Sequence, residues 1–246
     1  MVGIVSRKEG FTLPELLVVM VISGIVLAGI YTTYYTQQKS YVTHEQVVAL
    51  QQNLRAGMYL MEREIRMAGC DPAHNANAGI ATANSNTITF SLDITGGESD
   101  GVDNDDDGVT DEADEEKYGD GDTGDTNENL TYALGDGDGD GDNDLLRNGT
   151  VVAENIDALN FVYLDGASPP TVLDDDGSGN VTTSISDIRS VQISVVAKAG
   201  REDPQYTDTT AYYNQQDPVN PILAAQNDGH RRRLLTTEVK CRNLGL

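Results

Sequence analysis

The sequence predicts an α+β protein: one long N-terminal helix, then a run of antiparallel strands. Three observations carry this. Phe11 to Ile30 is apolar except for Thr12, Ser23 and one acid, Glu15. Val47, Leu50, Leu54, Met58, Met61, Ile65 and Ala68 then recur at spacings of three and four, the stripe of an amphipathic helix. After Cys70 the hydrophobic period changes to two, the period of half-buried strands. A helix followed only by strands defines the α+β class.

The first apolar run is long enough to cross a membrane. Its rise, at about 1.5 Å per residue, is roughly 30 Å, one bilayer core. Arg7 and Lys8 precede it. The positive-inside rule therefore puts the leader in the cytoplasm and the rest across the membrane. Tyr31, Tyr34 and Tyr35 follow, at interface level or in packing against a neighbour. The amphipathic stripe continues the same helix and packs on a sheet. Gly69 and Pro72 are its stop signals. The expected organisation is a leader at 1–10, a helix at 11–69 that spans the membrane at 11–30, and a globular part at 70–246. That part includes an acidic insert at 93–144.

Strands are expected where Ile88, Phe90 and Leu92 alternate with Thr87, Thr89 and Ser91, and across Ile156–Leu164. Val191 to Ala197 is a third strand, its alternate residues Gln192, Ser194 and Lys198 in solvent. Thr237 to Cys241 is the last. Leu130 to Leu134 and Val151-Val152 are weaker candidates. Residues 201–229 are rich in Asp-Pro, Asn-Pro and Asp-Gly pairs and read as a long surface loop.

The chain of 246 residues carries a formal charge of −24. Residues 93–144 hold 21 acids against one base, Lys117, and so −20 of that charge. A nucleic-acid surface needs a basic face, so that function is excluded. His44, His74 and His230 are scattered, and no G-x-S-x-G, H-E-x-x-H or phosphate loop is present. Nothing here supports catalysis.

The acidic segment has an order of its own. With Asp103 first, Asp105 and Asp107 fall third and fifth, Gly108 sixth, the Val109 carbonyl seventh, Asp111 ninth and Asp114 twelfth. Alternate acids closed by a glycine bend hard oxygen ligands around one Ca2+ ion. The run resembles EF-hand loops, and more closely the repeats of thrombospondin type 3 and dockerin modules. Asp114 stands where an EF-hand has glutamate, and no flanking helix pair is evident. A second run, Asp136, Asp138, Asp140, Asp142 and Asp144, repeats the spacing but ends on Arg147. A third, Asp174-Asp175-Asp176-Gly177, is weaker. Without a cation such carboxylates repel, and the segment is a solvated acidic loop.

Two cysteines remain. Cys70 lies just past the helix, and Cys241 shares a strand face with Val239. A disulfide between them closes a loop of about 170 residues, worth somewhat over 4 kcal/mol. The alternative is two buried free thiols. His230-Arg231-Arg232-Arg233 reads as the solvent face of an edge strand, or as a contact for a neighbouring subunit's acidic insert.

The run Arg7-Lys8-Glu9-Gly10-Phe11-Thr12-Leu13-Pro14-Glu15-Leu16-Leu17 resembles the N-terminus of type IV prepilins and their relatives in type II secretion. The resemblance implies that a prepilin peptidase cuts after Gly10 and methylates Phe11. It also implies that Glu15 pairs with a neighbour's terminal amine during filament assembly. Many major pilins carry a proline midway along this helix; here none follows Pro14 before Pro72. Further on, Asn155 to Tyr163, Ile188 to Ile193 and Arg231 to Leu244 are similar to PilW-type minor pilins. That implies a non-enzymatic subunit, anchored in the bacterial inner membrane with its globular part in the periplasm. It then moves to a surface pilus, helping to initiate or cap it together with major and minor pilins. A type II secretion minor pseudopilin of the GspJ type and a calcium-dependent tip adhesin are the alternatives.

Overall fold

The computed structural model describes residues 10–72, 74–105 and 107–245. The leader expected at 1–10 therefore lies, apart from Gly10, outside the described residues. The chain divides into two compact units, residues 1–45 and 46–246.

Helix α1 runs from Leu13 to Met67 without a break. In the first unit it exposes every large apolar side chain from Leu13 to Ile30, and its length and composition suit a single membrane span. In the second unit it turns amphipathic. Leu50, Leu54, Met58, Met61 and Ile65 are buried, as the stripe predicts. At about 2 kcal/mol each, these five contribute on the order of 10 kcal/mol of burial as an upper guide. The chain turns back just after the helix at Gly69, whose φ of +75° lets its amide donate to Ser91 O at 2.9 Å.

Two antiparallel sheets complete the second unit. The first is a meander of β1 (Ile80–Ala83), β2 (Thr87–Ser91), β3 (Asn129–Gly135), β4 (Asp144–Arg147) and β5 (Thr150–Ala153). The second has the order β7-β6-β8-β9, from β6 (Ile156–Leu164), β7 (Val172–Leu173), β8 (Ser190–Lys198) and β9 (Arg232–Lys240). Asn148 and Gly149 join β4 to β5, both at positive φ, as a two-residue hairpin of this twist requires. The acidic segment is thus not one insert: β3 runs through it and leaves two loops, 93–128 and 136–143.

The helix sits close on β4 and β5. A Cβ on Gly57 would come within 2.9 Å of Ala153 Cβ and 3.0 Å of Leu145 Cδ2. Asn53 Nδ2 donates to Glu154 O at 2.8 Å. Beside them Glu64 is buried and accepts from Tyr132 Oη at 2.6 Å and Arg147 Nε at 2.9 Å. The Arg147 that ends the second acidic run therefore serves the helix. The two sheets are joined where the β1–β2 turn meets β6: Phe161 N donates to Ser85 O and Tyr163 Oη to Asn84 O, both at 2.8 Å.

Strand β8 departs from expectation. It is buried on both faces, not one. The 201–229 loop covers the second face, where Gln216 Nε2 donates to Gln192 Oε1 at 2.9 Å and Asn214 Nδ2 to Asn160 Oδ1 at 2.9 Å. A long loop rich in amide side chains can satisfy buried polar groups that water would otherwise meet.

Candidate functional site

The N-terminal site is exposed. Phe11 is 87% exposed, and Gly10 beside it is open. Thr12-Leu13-Pro14-Glu15 has the form of a capping box. Glu15 Oε2 accepts from Thr12 N at 3.0 Å and from Thr12 Oγ1 at 2.8 Å. Pro14 sits in the first turn, where an amide has no partner to lose. The acid that is costly inside an apolar helix thus has a local partner. That capping signal was present in the sequence and gives Glu15 a second role beside the expected one.

The first acidic loop folds much as its spacing demands. Asp103 accepts from Asp107 N at 3.1 Å and Gly108 N at 2.8 Å, and Gly108 turns at φ +98°. Asp103 and Asp105 come together with Glu115, their ligand atoms all within 4.8 Å. The third member of this cluster is the buried Glu115, one place after the Asp114 that the spacing names. The glutamate is fixed by Asn104 N at 2.5 Å and Glu112 N at 2.9 Å. Asp107, Asp111 and Asp114 stand outside the trio. Asp107 accepts from Val109 N, and Asp111 from Gly101 N. Partial loss of hydration, then the charges of Asp107, Asp114 and Glu115, push the Asp105 carboxyl up.

In the second run Asp136, Asp138 and Asp144 form the trio. Asp136 accepts from Gly139 N and Gly141 N. Asp140 accepts from Asp142 N, and Asp142 pairs with Lys198 Nζ at 2.6 Å. Those two, expected among the ligands, thus stand outside the trio. The third run is satisfied by protein donors: Asp175 accepts from Thr182 N, Thr183 N and Ser184 N, which hold its carboxyl well below the usual range. Both trios offer only carboxylate oxygens, the donor set of a hard divalent cation.

Two other expectations are corrected. Cys70 and Cys241 are both free thiols. Each is held by its own surroundings: Cys70 O accepts from Asp93 N beyond β2, and Cys241 N donates to Arg189 O before β8. The closure assigned to a disulfide is made next door. Asn243 Nδ2 donates to Met67 O at 3.2 Å, and Leu244 packs where a Cβ on Gly69 would sit. Burial raises the Cys241 thiol to about 12.

The basic cluster is not a surface strip. Arg232 is buried and pairs with Asp157 at 2.6 Å, Asp228 at 2.6 Å and Asp208 at 3.4 Å. It fastens the 201–229 loop to β6 and β9. Arg231 pairs with Asp203 at 2.9 Å and lies over the Tyr206 ring. The loop's own acids thus neutralise two of the three arginines.

The apolar helix thus opens just after Gly-Phe-Thr and ends packed on antiparallel sheets. The family described as the prokaryotic N-terminal methylation motif matches residues 5–31. Among solved structures, the chain is similar to a type IV-like pilin, TTHA1219, from Thermus thermophilus. The two are 16% identical with a TM-score of 0.49, over 80% of this chain and 97% of that one. No curated protein sequence matches.

Proposed function

We propose that this chain is a minor pilin of the PilW type that helps to initiate or cap a type IV pilus. One observation supports this most: a prepilin-type N-terminus that continues, in one helix, into the core of a two-sheet globular unit. Prepilin peptidase cuts after Gly10, and Phe11 becomes the methylated N-terminus. Glu15 then exchanges its bond to Thr12 for the terminal amine of a neighbouring pilin. The helix from Phe11 to Ile30 leaves the inner membrane for the filament core.

The two acidic trios each take a Ca2+ ion, which neutralises the mutual repulsion of their carboxylates and fixes the loops on the exposed side of the subunit. A type II secretion minor pseudopilin remains the second reading, because the N-terminal motif serves both systems.

Mass spectrometry of sheared surface filaments tests the proposal. A peptide beginning at N-methylated Phe11, present in trace amounts, is the expected result. The processed chain found only in membranes refutes the pilus reading and leaves the pseudopilin.

A further inference from the structure

Asp93 follows β2 and is fully buried, yet neither of its carboxylate oxygens meets a hydrogen-bond donor. The Gly121 amide is turned toward it, but no hydrogen bond of ordinary geometry forms. Glu128, just before β3, is also fully buried. Its Oε1 is fixed by Ile94 N at 2.8 Å, Thr95 N at 2.8 Å and Thr95 Oγ1 at 2.9 Å. Its Oε2 is buried with no partner. Among the neighbouring charges that Asp93 feels, Glu128 is the strongest. Lys117, the single base of the acidic segment, lies over the Tyr118 ring.

The backbone makes room for these groups. Gly96 and Gly119 face each other in an isolated antiparallel bridge. A Cβ on Gly119 would collide with the Asp93 carboxylate. One on Gly96 would collide with Asp125 Oδ2 and lie 2.8 Å from Asp120 Oδ2. Two buried carboxylates with three unsatisfied oxygens, and two more carboxylates beside them, are unfavourable in a protein unless a cation joins them.

We propose that the unsatisfied oxygens of Asp93 and Glu128 ligate one hard divalent cation of the calcium class, which the neighbouring Asp120 and Asp125 carboxylates reach through bound water. The donors are all oxygens, and Asp93 can ligate through both of its own. Calcium accepts six to eight oxygen ligands, so backbone carbonyls and water complete the shell. The site rests neither on the two loop trios nor on the assembly role.

Its test uses the full-length chain in detergent. In a background carrying Asp103→Asn, Asp105→Asn, Asp136→Asn and Asp138→Asn, calorimetry should still show one calcium equivalent, and calcium should still raise Tm over chelator. Adding Asp93→Asn should remove both effects. In chelator, however, that variant should be at least as stable as its background, because a buried amide is less costly than a lone carboxylate. Glu128→Gln, which keeps the Oε1 acceptor, should also lose the equivalent. A background that binds no calcium overturns the proposal. So does an Asp93→Asn variant that binds it undiminished, or one that is destabilised in chelator.

Discussion

Replacing Arg232 by methionine tests whether the 201–229 loop is held by a buried charge network. The Arg232 side chain is 3% exposed and that of Asp208 1%. Removing one partner of a buried pair typically costs about 3–5 kcal/mol, because the other charge is left uncompensated. The cost here falls near the low end. Asp208 keeps Thr210 N at 3.1 Å and Tyr212 Oη at 3.0 Å, while Asp157 and Asp228 are exposed enough to regain water. The expected loss is therefore about 3 kcal/mol. With a slope of about 2 kcal/mol/M, the urea midpoint falls by roughly 1.5 M. The assay is urea unfolding of the full chain in detergent, followed by near-UV circular dichroism of the tyrosines. Arg232→Lys keeps the charge but loses the fork on Asp228, and falls between. Asp208→Asn added to Arg232→Met recovers part of the loss. A midpoint within 0.3 M of the parent (~0.6 kcal/mol at that slope) would falsify the network's role.

Three further outcomes are expected. The Arg232 guanidinium holds Asp228 down at about 2, against 3.8 for an ordinary aspartate. Since this pKa is depressed on folding, its stabilisation is present above pH ~4 and is lost as pH falls toward ~2. The loss is about 2 kcal/mol and should be absent from Asp228→Asn in acid titrations of stability. Gly57→Leu forces a side chain between Ala153 and Leu145 and should cost about 1–3 kcal/mol. In Gly57→Ala the helix-propensity gain and the close contact should nearly cancel; a stabilised Leu variant would show that the helix is not seated there. Glu15→Ala should leave membrane insertion and leader cleavage intact and reduce incorporation into filaments. Normal incorporation removes its assigned role.

The helix was legible because its two halves obey one period of 3.6 with different backgrounds, wholly apolar and then striped. Most strands were legible because their apolar faces alternate. β4 was not, since Asp144-Leu145-Leu146-Arg147 adjoins an acidic run and has no alternation. The Asn148-Gly149 pair behind it was the readable signal. Ligand spacing named Asp103, Asp105, Asp136, Asp138 and Asp144, which are the acids drawn into the two carboxylate clusters apart from Glu115. Count did not single out Glu115, because burial decides which acid turns inward: Glu115 is buried and Asp114 is not. Arg232 and Asp93 were illegible for the same reason. A charged residue in a strand or beside an acidic run looks like solvent-facing chemistry until the loop that covers it is known.

The contact between Asn243 and Met67 spans 176 positions. The helix is synthesised first, yet its tail gains this contact only when the segment after β9 has been made. Loop closure over such a separation is entropically slow to find, and non-local pairings delay folding. In such a fold the first core element is fastened by the segment that follows the last strand, so the two ends of the globular unit are completed together.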